Sequence, residues 1–253
     1  MSTIAVFFLL QPFVDLAEAI IKFFAETVGF GWGLSIVFLT LTIRAATLPR
    51  SLKGIKSMRR MQLVAPELKE VQEKYKDDRE RQQREMLALY KKHGVNPLAS
   101  CFPFLLQIPF FIAVYELLRS DVFNEDVISS GAGEGFLFVD SIIQKPEGAE
   151  MWILMVLFVV TTVLTFLYTT ATTQTTSGPQ RYIFLALPLL FAPFIATQPA
   201  GLGIYWITTN IWSLGQQVVV QKIMPMPTPP TPEEREARKA PPPPPPRKRK
   251  KRR

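Results

Sequence analysis

Apolar residues in this chain come in blocks about as long as a bilayer is thick, and the charges fall mostly between the blocks. A helix needs about 20 mostly apolar residues to cross a hydrocarbon core. Five segments meet that length, at about 30–49, 98–118, 151–170, 182–198 and 202–221. Such segregation argues against one soluble core. The fold class expected is all-α, a polytopic membrane protein with five core transmembrane helices. The second and fourth segments carry Pro103, Pro109, Pro188 and Pro193, which membrane helices tolerate when neighbours or water satisfy the freed carbonyls. Gln198-Pro199-Ala200-Gly201 reads as a tight turn, so the last two spans form an antiparallel pair.

Three regions surround or interrupt this 30–222 core. In the N-terminal segment 1–29, Asp15, Glu18, Lys22 and Glu26 recur at three- and four-residue intervals among Leu16, Ile20, Phe23 and Phe24. One polar stripe on an apolar helix predicts an interfacial helix, with a sixth span as the competing reading. Residues 50–95 form a cytoplasmic helical hairpin. Pro66 suits a helix first turn, Asp77-Asp78 can cap a second helix running to about Lys92, and Gly94 with Asn96-Pro97 ends it. The apolar faces are Leu68, Val71 and Tyr75 against Met86, Leu87, Leu89 and Tyr90. The external loop is 119–150. The tail 223–253 is Pro-rich and basic, ends in seven consecutive cations at Arg247–Arg253, and is expected to be disordered.

Orientation follows from lysine and arginine. Segment 50–93 holds 13 of them and the tail after Val220 holds 11, while 120–150 holds only Lys145 against seven acids. Both basic segments belong in the cytoplasm, which puts the N-terminus outside.

Arg44 lies inside the first span. A cation at membrane depth costs about 2.5–3.5 kcal/mol on insertion scales, so it needs water, a partner or a cavity. It stands five residues before Pro49, and taken by itself that helix fits snorkelling and a hydrated cavity equally well. The last span adds Trp206, Asn210, Ser213 and Gln217 at helical spacing, with Tyr205, Thr209, Trp212 and Gln216 in the adjacent row and aliphatic residues opposite. The second span contributes Gln107, and the third Thr161, Thr162 and Thr165. Single threonines are accounted for by interhelical hydrogen bonds. Arg44, Gln107, Asn210, Gln216 and Gln217 together are better explained by a shared hydrated cavity. The one acid inside a span, Glu116, sits near the opposite end of its helix.

Catalysis has little to work with. One His and one Cys exclude a zinc-type site in practice, and no Ser-His-Asp or phosphate-loop constellation occurs. No metal, cofactor or catalytic residue is expected.

Asn96-Pro-Leu-Ala-Ser-Cys-Phe-Pro-Phe-Leu-Leu-Gln-Ile-Pro-Phe-Phe-Ile-Ala-Val-Tyr115 closely resembles the second-span signature of the YidC/Oxa/Alb family of membrane protein insertases. Pro199 to Gln217 resembles their last span, and Pro66–Lys76 with Leu89–His93 resembles their cytoplasmic hairpin. The resemblance covers about residues 28–222 and is to the short, Gram-positive-like bacterial form; neither the large extracytoplasmic domain of Gram-negative members nor the lipobox cysteine of many Gram-positive ones is expected. It implies five spans around a hydrophilic groove open to cytoplasm and lipid, in which Arg44 matches the positive residue of the first span. The implied function is insertion and chaperoning of nascent membrane proteins in the bacterial plasma membrane, without covalent chemistry. Groove and substrate contacts would be Arg44, Gln107, Thr161, Thr165, Trp206, Thr209, Asn210, Ser213, Gln216 and Gln217. Partners would be nascent chains, lipid, the ribosome through Arg247–Arg253 and 50–95, and a Sec translocon as a further candidate, but not DNA. A small-solute transporter or channel using the same cavity is the alternative, although no internal repeat supports it.

The charge asymmetry predicts that, in intact cells, a cysteine replacing Lys145 reacts with a membrane-impermeant maleimide while one replacing His93 does not. Labelling of His93→Cys from outside would reverse the topology.

Overall fold

The computed structural model describes residues 3–96, 102–130, 134–173 and 180–224. The cations Arg247–Arg253, and residues 98–101 of the expected second span, lie outside them. The described residues form α1 (Thr3–Lys22), a π-helical turn at Phe23–Thr27, α2 (Trp32–Lys74), α3 (Arg79–Lys92), α4 (Phe102–Arg119), α5 (Asp121–Ser129), α6 (Gly148–Thr173), α7 (Gln180–Ala196) and α8 (Ala200–Ile223). Among them only an isolated bridge between Phe136 and Val139 is of β type. Two helices, α2 and α6, are long and apolar enough to cross a membrane. Trp152, Val156, Leu190 and Ile211 are each more than half exposed.

The largest difference from expectation is α2. The sequence predicts a span ending at Pro49 and a new helix beginning at Pro66, but both prolines lie inside one 43-residue helix. A proline removes one main-chain donor and crowds the preceding turn. It does not end a helix whose neighbouring turns are held by tertiary contacts. Here α2 is braced by α8 on one side and α3 on the other.

Beyond Lys74 the chain turns back. Asp78 caps α3 as its position predicts, its carboxylate accepting from the Arg81 N–H at 3.0 Å. At the other end Gly94 has φ +61°, with Val95 N–H bonded to Tyr90 O and Gly94 N–H to Lys91 O. This is the Schellman pattern that a glycine makes possible. The contact between α2 and α3 uses Val64, Leu68 and Val95, with Met61, Met86, Leu89 and Tyr90 beside them. Leu87, expected on that face, is instead exposed. His93 meets Glu67 at 3.1 Å across the pair.

The other end of the bundle is capped. Loop residues 134–147 fold over it. Gly201 N–H and Ala200 N–H, free donors at the start of α8, bond to the carbonyls of Ile142 and Gln144. Trp32, Ile36, Leu39, Leu117, Leu118, Phe123, Ile142 and Leu202 are all at most 1% exposed and form one apolar cluster. The segment expected to be an irregular loop contains α5, whose Phe123 stacks edge-on against Trp32 at 5.3 Å. The N-terminal helix α1 packs along α4, with Phe13 against Phe110. It is tied to α5 by Lys22, which pairs with Asp126 at 2.6 Å and with Glu18 at 2.8 Å. These carboxylates, Asp126 first, raise Lys22 above its ordinary value and keep it charged.

Close approach at the cap requires glycine. A Cβ on Gly33 would fall 2.3 Å from Phe136 Cβ and 2.7 Å from Gly135 O. Gly33→Ala should destabilise the protein by about 1–3 kcal/mol, read as a lower melting temperature in detergent. Gly203→Ala, whose Cβ would meet only ordinary contacts at 3.6 Å, should melt at or above the parent. Equal melting of the two variants would show that the cap is not close-packed.

Candidate functional site

Two polar rows leave α8 in different directions. One faces α6. Asn210 Nδ2 donates to Thr162 Oγ1 at 2.8 Å and Thr161 Oγ1 at 3.2 Å, and Thr165 Oγ1 donates to Asn210 O at 3.3 Å. A turn or two further on, Thr169 Oγ1 donates to Gln217 Oε1 at 2.7 Å. The numbers rise together on both helices, so α6 and α8 run parallel. Thr161 and Thr162 give their one hydroxyl proton to carbonyls four residues back while accepting from Asn210, and Thr165 and Thr169 share theirs between such a carbonyl and α8.

The other row faces α2, again in parallel. Gln216 Nε2 donates to Ser51 Oγ at 2.8 Å, and Arg59 Nη2 donates to Gln221 Oε1 at 3.1 Å and Val220 O at 3.4 Å. The Arg59 cation near the carbonyl end of α8 also suits the dipole there. Burial pushes Arg59 below its ordinary value. Toward the cap the row reaches Tyr205, which is 1% exposed and accepts a hydrogen bond from Gln107 of α4. The Arg44 guanidinium lies in the neighbourhood of the Tyr205 phenol.

Here hydrogen bonding is incomplete. Arg44 Nε and Thr209 Oγ1 are buried without a partner, the Thr209 hydroxyl standing beside Tyr205 but outside hydrogen-bond geometry. Among the described residues no carboxylate pairs with Arg44. A buried donor or acceptor left unmade costs about 1–3 kcal/mol, and more when charged. Both groups lie in the neighbourhood of one phenol and can bond a polar partner.

Of the expected site residues, the fold brings Arg44, Gln107 and Thr209 together around Tyr205, with Gln216 further along the same seam. Thr161, Thr165 and Asn210 lie on the α6 side and bond to one another, and Gln217 on the same side bonds to Thr169. Ser213 Oγ bonds to Thr209 O of its own helix at 2.7 Å. Trp206 is held edge-on between Phe111 at 5.1 Å and Phe158 at 5.6 Å. Tyr205, Ser51 and Arg59 were missing from the expected set. The signal for the last two was available: on an unbroken helix Arg44, Ser51 and Arg59 share a face at the spacing of two turns. Ending the helix at Pro49 hid it.

A profile of the 60Kd inner membrane protein family matches residues 23–227. The chain belongs to the YidC/Oxa/Alb family. The match takes in all the polar groups of the seam. Membrane protein insertase YidC of Streptomyces avermitilis is 36% identical over 234 residues, covering 81% of this chain and 55% of that protein. Membrane protein insertase YidC of Helicobacter pylori is 38% identical over 202 residues, covering 76% of this chain and 33% of that protein. This YidC/Oxa/Alb chain thus spans about half or less of the length of the curated relatives it matches. A crystal structure of an active YidC insertase with its first transmembrane domain resolved superposes with a TM-score of 0.60 at 23% identity, covering 81% of this chain and 45% of that one. That likeness establishes a YidC-like fold.

The two rows predict opposite responses. Asn210→Leu should destabilise by about 0.6–1.7 kcal/mol, the range measured for interhelical hydrogen bonds in membrane proteins. Thr209→Val, which removes an unpartnered hydroxyl at nearly constant shape, should leave the melting temperature unchanged or raise it. The reverse order would mean that the polar rows have been assigned to the wrong neighbours.

Proposed function

We propose that this chain is a membrane protein insertase and chaperone that takes nascent membrane proteins from the cytoplasm into the bilayer through a hydrated groove beside Arg44. One observation carries the reading: the bundle is apolar and close-packed at its capped end, while below that cap Arg44 and Thr209 retain unpartnered polar atoms. A groove closed outward and polar inward lets water and a hydrophilic flank enter half the membrane without opening a pore across it.

In this reading α2, α4, α6, α7 and α8 are the five core spans of a plasma membrane protein, the N-terminus is outside and the C-terminus cytoplasmic. The pair made by α3 and the end of α2 is the cytoplasmic hairpin, and α1 lies at the outer face. An incoming chain presents its polar flank to Arg44, Gln107, Tyr205 and Thr209, which offset part of its desolvation cost. The cation favours acidic flanks by simple attraction. The apolar segment leaves toward lipid along α6 and α8, past Trp206. The threonines of α6 with Asn210 and Gln217 keep these two helices in register. The hairpin and Arg247–Arg253 raise ribosome occupancy, and a Sec translocon is a further partner. None of these steps makes or breaks a covalent bond, and the described residues hold no cluster of metal-binding side chains.

Reconstitution tests the reading. Proteoliposomes should insert a single-span substrate with an acidic flank, and Arg44→Ala should lower the rate about tenfold, which corresponds to about 1.4 kcal/mol. Arg44→Lys, which keeps the charge, should restore most of it. Undiminished insertion by Arg44→Ala would remove the charge from the mechanism, and solute flux through empty proteoliposomes would favour a channel instead.

A further inference from the structure

The row of polar side chains on α2 does not stop at Arg59. Gln62 follows on the same helical face, roughly 27 Å of helix from Arg44. The surroundings of this pair differ from those of Ser51, whose hydroxyl is paired with Gln216. Arg59 uses Nη2 to hold the end of α8 but leaves Nη1 buried with no partner. Gln62 leaves both ends of its amide, Nε2 and Oε1, buried with no partner. Hydrogen bonding along α2 is therefore unfinished in two separate places, one at Arg44 and one at Arg59 and Gln62. They differ in chemistry. The first lacks partners for a guanidinium N–H and a hydroxyl. The second offers a spare guanidinium N–H beside an amide that wants a donor and an acceptor at once.

A group that donates and accepts in one plane, at the spacing of a carboxamide, is the peptide unit of a polypeptide in extended conformation. A phosphate or carboxylate would satisfy Arg59 and the Gln62 Nε2 donors but leave Oε1 facing an acceptor. A lipid tail would satisfy neither. Helical segments consume their own peptide groups, so only an unfolded stretch has them to offer.

We propose that Arg59 and Gln62 form a main-chain docking point that holds an extended stretch of the incoming polypeptide before its flank reaches Arg44, an inference that rests on the insertase reading above. Recognition there is of the peptide group rather than of side-chain charge. It therefore acts on acidic and uncharged flanks alike, whereas Arg44 discriminates between them. Gln62 is a binding residue with a cost in the resting protein, because its amide stays unsatisfied until substrate arrives. That cost sets it apart from Asn210, whose amide is already bonded.

The test uses the full chain in proteoliposomes with two versions of one single-span substrate, one with an acidic flank and one with a Gly/Ser flank of equal length. Gln62→Leu should melt at or above the parent in detergent, since it replaces an unsatisfied amide with an apolar side chain of similar size. It should also raise the substrate concentration for half-maximal insertion by about threefold or more for both flanks, with the maximal rate unchanged, as loss of a binding contact requires. A photocrosslinker in the substrate flank should give adducts mapping to residues around 59–62, and these should weaken in Gln62→Leu. A lower melting temperature would show that the amide is bonded within the fold and would overturn the proposal. So would unchanged insertion by the folded variant, or a defect confined to the acidic flank. If the parent protein inserts neither substrate, the insertase reading fails and this docking point fails with it. If the parent inserts both and Gln62→Leu is indistinguishable from it, only the docking point falls.

Discussion

The parallel contact between α2 and α8 is what the rest of the molecule is arranged around. At one end it is apolar: Ile36 approaches Gly201, the loop carbonyl of Ile142 receives the α8 N–H, and Leu118 closes the third side. Further along it becomes polar, through Tyr205 with Arg44 nearby, Ser51 with Gln216, and Arg59 with Gln221. A single pair of helices thus changes from a dry, close-packed join to one with unpartnered polar atoms. Shifting the register of α8 by one residue would replace Tyr205 beside Arg44 with Ile204 or Trp206.

The second seam of α8 has a different physical character. Asn210 and Gln217 meet threonines of α6 that already bond to their own helix, so the α6–α8 join is polar yet nearly complete in its hydrogen bonds. Such a join specifies register with little net energy, because interhelical hydrogen bonds in membranes contribute only about 0.6 kcal/mol each on average. The α2 seam is incomplete, and its unmade bonds cost stability. Placing satisfied polar groups on one side of a helix and unsatisfied ones on the other separates what holds the bundle together from what is available to a ligand.

Much of this was legible from residue types and spacing. The apolar blocks correspond in position to α2, α4, α6, α7 and α8, and Asp78 and Gly94 bound α3 through capping rules that depend only on local backbone chemistry. Arg44 stood out because a charge inside an apolar block is anomalous wherever the helix packs. Three features were not legible. Pro49 and Pro66 were read as helix boundaries, yet the helix passes through both because α8 and α3 brace it. The acidic segment after Arg119 was read as loop, although Phe123 and Val127 make α5 part of the core. The polar side of α8 was read as one surface although it serves two neighbours.

What the sequence determined by itself was where the apolar helices lie and the presence of an awkward charge, because hydrophobic length, helix caps and the cost of a cation in an apolar block are local or additive properties. What only the tertiary structure decided was which polar groups find partners. Rows one residue apart on α8 point about 100° apart, so Asn210 bonds to threonines of α6 while the Thr209 hydroxyl finds no hydrogen-bond partner. Whether a hydroxyl or an amide is satisfied depends on a neighbour more than forty residues away, and no pattern within one helix contains that information.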